Sequence, residues 1–198
     1  MKTVIGNDVV HIADPGIAEY HRRTRFVERI CAPEEWARIG DDEEGRLLLW
    51  NLWAAKEAAY KAVMKLRAGI VFAHRRFVVD ESLREVRYDD LVLPLWSDHA
   101  EDWLHAVVTN GAEPGLSRVK EKSPECHQSQ AVRDFACRAI AEAFAIEEGG
   151  LEIVRPDEAD DRVGPPVLTR GGEAIDIDLS LSHDGPFVAC AAVASQAT

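Results

Sequence analysis

The order of apolar and polar positions predicts short extended runs interrupted by two long helices. Val4-Ile5-Gly6-Asn7-Asp8-Val9-Val10 is rich in β-branched residues and reads as a strand carrying one acid, and Asp14-Pro15-Gly16 breaks it. From Arg46 to Lys65 there is no Gly or Pro, Ala and Leu dominate, and the acids from Asp41 to Glu44 come first. That pattern predicts a helix with a favourable N-terminal charge, ended by Gly69. Further strands are expected at Arg75 to Val79, Glu85 to Tyr88, Leu91 to Leu93 and Trp103 to Val108, with loop chemistry from Asn110 to Gly115. Ser117 to Gln128 is polar and without period. A second helix, Ser129 to Phe144, carries an apolar stripe of Val132, Phe135, Ala136, Ala139, Ile140 and Ala143. Leu151 to Val154 is a candidate strand, and the proline-bearing segment from Pro156 to Pro166 a loop. Ile175 to Ser182 alternates strictly between apolar and polar, as a strand with one face in the core does. After a turn at Ser182 to Pro186, Phe187 to Val193 returns as its hairpin partner.

Each part of the chain thus pairs one helix with antiparallel strands. We expect an α+β fold of two similar halves related by a pseudo-twofold, residues 1–115 and 116–198, although no sequence repeat is obvious. A length of 198 residues, 46% hydrophobic and 29% charged, suits a soluble globular protein. No run of 18 apolar residues exists to span a membrane, and Asp8 falls where a signal peptide needs its apolar core, so a cytoplasmic location is expected. The four cysteines (Cys31, Cys126, Cys137, Cys190) are scattered, with no Cys-x-x-Cys, and are expected as free thiols. A net charge of -12 argues against nucleic acid as a partner. It leaves room for an acidic protein partner at a local basic patch, of which Arg22-Arg23-Thr24-Arg25 with Arg29, or Arg75-Arg76, are candidates.

Charge inside the first long helix asks for an explanation. Trp53, Glu57 and Lys61 share one helical face, and Lys56 and Tyr60 lie on the adjoining one. Two readings are open. Glu57 and Lys61 can form an i,i+4 ion pair worth a few tenths of a kcal/mol (about 0.2–0.5). Alternatively, Glu57 holds a cation while Lys56 and Lys61 hold an anion such as a phosphate. Asp8 in the first strand, and Ser182 and His183 at a strand end, extend the second reading. Ser182 and His183 are adjacent and project to opposite sides, which makes a poor nucleophile–base pair, but both can donate to phosphate oxygens. Two carboxylates without thiolate favour Mg²⁺. The set Asp8, Glu57, Lys56, Lys61, Ser182 and His183 is a diphosphate-handling constellation.

Gly6-Asn7-Asp8-Val9-Val10, Arg25-Phe26-Val27-Glu28-Arg29 and Trp53-Ala54-Ala55-Lys56-Glu57-Ala58-Ala59-Tyr60-Lys61-Ala62 resemble the signatures of the 4′-phosphopantetheinyl transferase family. Leu179 to Gly185 is similar to that family's S-x-S-H strand end. The K-E-A-x-x-K element is fairly specific; the G-x-D element alone is weak. In the long, surfactin-type members the S-H strand precedes G-x-D and K-E, whereas here it comes last. The chain resembles a circularly permuted pseudo-dimer, or alternatively the short holo-acyl-carrier-protein-synthase order with an enlarged middle.

The resemblance implies an enzyme that moves the 4′-phosphopantetheine arm of coenzyme A onto a serine of an acyl or peptidyl carrier protein. Asp8 and Glu57 would hold Mg²⁺; Glu57, Lys61 and Asp8 would be catalytic. Lys56, Lys61, Ser182 and His183 would grip the coenzyme A diphosphate, and Arg133 or Arg22 would take its 3′-phosphate. A non-catalytic coenzyme A or carrier-binding module and a Mg²⁺-dependent diphosphate hydrolase are the alternatives. Two departures stand out: Val10 occupies the second acid position of surfactin-type enzymes, and Gly164-Pro165-Pro166 lacks the lysine of their G-K-P.

Overall fold

A computed structural model describes residues 2–111, 113–122, 127–156 and 164–195. Strand β1 (Ile5–His11) leads through two short 3-10 turns to helices α1 (Thr24–Ile30) and α2 (Pro33–Trp36), then to the long helix α3 (Glu43–Val63). Strands β2 (Val78–Val79), β3 (Glu85–Tyr88), β4 (Leu91–His99) and β5 (Trp103–Thr109) complete the first half. The second half comprises β6 (Leu116–Glu121), α4 (Gln128–Ala143), β7 (Leu151–Val154), β8 (Val167–Arg170), β9 (Glu173–Asp184) and β10 (Phe187–Ala194).

The strands form two antiparallel five-stranded sheets, ordered β1-β5-β4-β3-β2 and β6-β10-β9-β8-β7. These are one order written twice. In each sheet the first strand lies at an edge beside the last, and the long helix sits between the first and second strands in sequence. The fold is α+β with two similarly built halves, although the residues carry no visible repeat.

Each long helix packs its apolar stripe on its own sheet, except that Ala143, expected in the α4 stripe, is exposed. In α3, Leu49, Leu52, Ala54, Ala55, Ala58, Ala59, Ala62 and Val63 are all fully buried, and the Asp42 side chain caps its N-terminus by accepting from Gly45 N at 2.9 Å. The helix stops at Val63, earlier than Gly69, which adopts a left-handed φ of +74° in the turn beyond. In α4, Val132, Ala136, Ala139 and Ile140 form the second core with Leu168, Leu179 and Cys190.

Two stretches depart from the sequence reading. The polar segment from Ser117, read as being without period, supplies most of β6, an edge strand that among the described residues pairs with β10 alone. Strand β8 was not anticipated, lying next to the loop expected from Pro156 to Pro166, whose residues 157–163 fall outside the described residues. Cys126 also falls outside them. Cys31 and Cys190 are buried free thiols, pushed up to about 12 by burial, and Cys137 is free and half-buried. Among the described residues no helix is long and apolar enough to cross a membrane.

The halves meet across β1. Its residues alternate between α3 and the second half, so Gly6 and Asp8 face α3 while Ile5, Asn7 and Val9 face β9 and β10. Ile5 packs with Ala191 and Val193, and Val9 with Phe187 and Ala189. As an edge strand β1 has free N–H groups, and side chains of β9 accept from them. Ile5 N donates to Asp178 Oδ2 at 2.8 Å, Asn7 N to Ser180 Oγ at 2.9 Å and His11 N to Asp184 Oδ2 at 2.8 Å. The middle of β9's polar face, from Asp178 to Ser182, is therefore spent on the seam, while Asp176 stays exposed. Lys65 staples the same seam, donating to Ile5 O, Asp178 Oδ2 and Leu179 O, each at 2.7 Å.

Candidate active site

Glycine at position 6 brings β1 onto α3. A Cβ there would lie 1.9 Å from Ala58 O and 2.7 Å from Ala62 N, both backbone atoms. That close approach lets the next α3-facing residue, Asp8, meet Lys61. The Lys61 ammonium donates to Asp8 Oδ1 at 2.8 Å and to Asn7 O at 2.9 Å. It reaches across to β1, so the intrahelical pair with Glu57 is not its salt bridge. Glu57 instead faces His74, with Oε1 3.7 Å from Nε2.

Burial and the nearby Asp8 charge push the Glu57 carboxyl up to about 7. Burial also raises Asp8, against the opposing pull of Lys61. His74 is pushed down to about 4, by burial first and then by Lys56 and Arg29. Both carboxyls are raised first by burial, which disfavours their charged forms. A divalent cation between them would relieve both, and hard oxygen donors suit Mg²⁺. Among the described residues no group of three or more His, Cys, Asp or Glu gathers as a metal cage. An ion held by this pair would complete its shell with water and phosphate oxygens.

Three adjoining cavities flank the pair. The first, about 400 Å³, is lined by Asp8, Lys61, Ser129, Arg133, Arg155, Ser182 and His183. The second, about 210 Å³, runs from Glu57, Tyr60 and Lys61 to Arg155, Pro165 and Pro166. The third, about 360 Å³, has aromatic walls of Tyr20, Phe26, Trp50 and Trp53 and again reaches Asp8, Glu57 and His183. Asp8, Glu57, Lys61, Ser182 and His183 are thus assembled at the seam, the first three from one half and the last two from the other. Ser182 is buried and His183 exposed, on opposite sides of the β9 end as expected.

Lys56 is not among them. It is fully buried with Glu35, Nζ to Oε2 at 2.5 Å, and also donates to His74 O at 3.3 Å. Glu35 in turn accepts from Ala32 N and Val79 N, each at 2.7 Å. With no surface left for a ligand, Lys56 is a structural residue tying α3 to α2 and β2, which corrects its assignment to the diphosphate. Of the two arginines considered for the 3′-phosphate, Arg133 lines the first cavity. Arg22 is engaged elsewhere, by Glu19 and the Asp41 carbonyl. Sequence reasoning missed Arg155, an isolated arginine before a loop, and His74, whose place beside Glu57 follows only from the packing of its ring on Trp53 and Phe72.

Residues 4–107 match the model of the 4′-phosphopantetheinyl transferase superfamily, a span holding Asp8, Glu57 and Lys61. The chain belongs to this superfamily. Among solved structures, the apo-ACPS structure from Chronobacterium ammoiniagenes is similar at 24% identity and a TM-score of 0.42, covering 54% of this chain and 94% of that one. Among curated proteins nothing matches. As a 4′-phosphopantetheinyl transferase superfamily member the protein is a transferase. Ser182 and His183 lie outside the matched span, so their place at the site rests on the geometry above.

Proposed function

We propose that this superfamily member transfers the 4′-phosphopantetheine arm of coenzyme A to a serine hydroxyl of an acyl or peptidyl carrier protein, with Mg²⁺, releasing 3′,5′-ADP. The observation that carries the reading is the meeting of Asp8, Glu57 and Lys61 with Ser182 and His183 in one cleft between the halves.

Asp8 and Glu57 would hold the ion. When bound it neutralises charge on the diphosphate and on the leaving phosphate. The new bond joins the carrier serine Oγ to the phosphorus bearing pantetheine, and the bond to the bridging oxygen of 3′,5′-ADP breaks. The serine proton needs an acceptor, and Glu57 would take it on the carboxylate oxygen that does not hold the ion. Lys61, fixed by Asp8 and Asn7 O, presents its ammonium to the departing phosphate, with Ser182 and His183 as further donors. Arg133 and Arg155, which line the cavity shared with Asp8 and Lys61, would take the nucleotide's remaining phosphate. The exposed Arg25, with Arg23 stacked on Tyr20 and Arg29 on Phe26, offers an acidic carrier a basic surface on α1 beside the aromatic cavity.

The test is mass spectrometry of apo carrier proteins incubated with the protein, coenzyme A and Mg²⁺. Addition of the arm is expected for at least one carrier. Glu57→Gln and Asp8→Asn should each slow it by about 10²-fold or more while leaving the fold intact. Near-normal turnover by either variant would overturn the assignment. ADP released without a carrier would mark a hydrolase, and coenzyme A bound with no transfer a binding module.

A further inference from the structure

At the centre of the seam, between the apolar contacts of Ile5 and of Val9, sits a buried polar island. Asn7 is fully buried and His105 is 2% exposed. Asn7 Nδ2 lies 2.9 Å from His105 Nε2 and 3.0 Å from Ser182 Oγ, and Ser117 Oγ lies 3.3 Å from His105 Nδ1. Among the described residues the Asn7 Oδ1 atom is buried with no hydrogen-bond partner. Burying an amide among apolar neighbours, and leaving its oxygen unpaired, costs stability that an aliphatic residue would not. The proposed transfer makes no direct use of the Asn7 side chain.

The direction of these bonds follows from the amide nitrogen of Asn7 facing both His105 and Ser182. One amide hydrogen of Asn7 points to His105 Nε2, which accepts it only in the neutral tautomer that carries its proton on Nδ1, facing Ser117 Oγ. The second amide hydrogen goes to Ser182 Oγ. An oxygen that accepts from Asn7 keeps its own hydrogen free to donate. The backbone of the same residue holds Ser180 through Asn7 N at 2.9 Å, so one residue sets both serines of the strand end. Ser182 lines the cavity shared with Asp8, Lys61 and Arg133.

We infer that Asn7, held by His105, is a positioning residue for Ser182, orienting its hydroxyl as a hydrogen-bond donor to a phosphate oxygen of coenzyme A in the seam cleft. This rests on the proposed function for the identity of the ligand, but not on turnover.

The experiment is a double-mutant cycle of Asn7→Val and Ser182→Ala, read by calorimetric coenzyme A affinity with Mg²⁺ and, alongside, by KM and kcat. Loss of one hydrogen bond to a charged group should weaken coenzyme A about tenfold or more in either single variant. Because Asn7 acts through Ser182, the double variant should bind no worse than Ser182→Ala. Independent losses that multiply in the double variant would overturn the inference even if transfer proceeds normally. Binding without transfer in the wild type would overturn the proposed function while leaving the cycle readable, and no binding at all would overturn both. Nitrogen NMR of the His105 ring gives a readout that needs no ligand. The neutral form with the proton on Nδ1 is expected, and a proton on Nε2 would mean that Asn7 presents its oxygen, which refutes the orientation.

Discussion

Replacing Lys56 by methionine separates its two possible roles. Lys56 and Glu35 are both fully buried and joined at 2.5 Å. Removing one partner of such a pair costs about 3–5 kcal/mol, because the other charge stays buried. Glu35 keeps its two backbone donors, Ala32 N and Val79 N, which places the expected loss near the low end, about 3 kcal/mol. For a chain of this size that corresponds to a fall in Tm of about 6–12 °C. Adding Glu35→Gln removes the stranded charge and should restore about 1–2 kcal/mol, though not all, since a single amide oxygen replaces two carboxylate oxygens. Urea denaturation of the single and double variants measures both numbers. The affinity of the folded Lys56→Met protein for coenzyme A should change less than about twofold, well under the tenfold loss expected for a lost contact to a charged group. A Lys56→Met protein that keeps its stability to within 1 kcal/mol, or one that loses coenzyme A affinity tenfold at unchanged Tm, would refute this account and return the lysine to the diphosphate.

Gly6→Ala drives a Cβ into the α3 backbone and should cost more than about 3 kcal/mol or abolish soluble expression, as thermal denaturation would show; a change under 1 kcal/mol would mean that β1 and α3 do not pack this closely. Burial pushes His105 down to about 3 from 6.5, so the stability it lends is complete above 6.5 and is lost as pH falls towards 3. The acid limb of the stability profile should accordingly steepen by up to about 5 kcal/mol over that window, and His105→Gln should flatten it; parallel urea midpoints between pH 4 and 7 for variant and wild type would contradict this. Arg25→Glu should raise KM for an acidic carrier, more at low salt than at high, without changing KM for coenzyme A; a salt-independent result would place the docking surface elsewhere.

Much of the fold could be read in advance because its signals are local. The uninterrupted Ala-Leu run of α3, the stripe of α4 and the alternation of β9 each specify an element from a few neighbouring residues. Strand β6 was missed because every residue in it except Leu116 and the half-buried Val119 is exposed, which leaves no apolar period to read. The polar positions of β9 were legible as a face, but that they accept from β1, far away in the chain, is a tertiary fact. Asp8, Glu57 and Lys61 could be nominated from charge placed in apolar surroundings. The same logic named Lys56, and misplaced it, because its partner Glu35 belongs to a four-residue helix whose orientation no local pattern reveals. Arg155 and His105 carry no signal outside the assembled structure.

The way β9 covers β1 bears on what happens when the chain is cut. Severed between its two sheets, the first fragment would carry a bare row of amide donors along β1, a template for recruiting any extended peptide, including another copy of itself. The second sheet then acts as a permanently tethered chaperone for its neighbour, one whose grip is made by carboxylate and hydroxyl groups instead of by another strand.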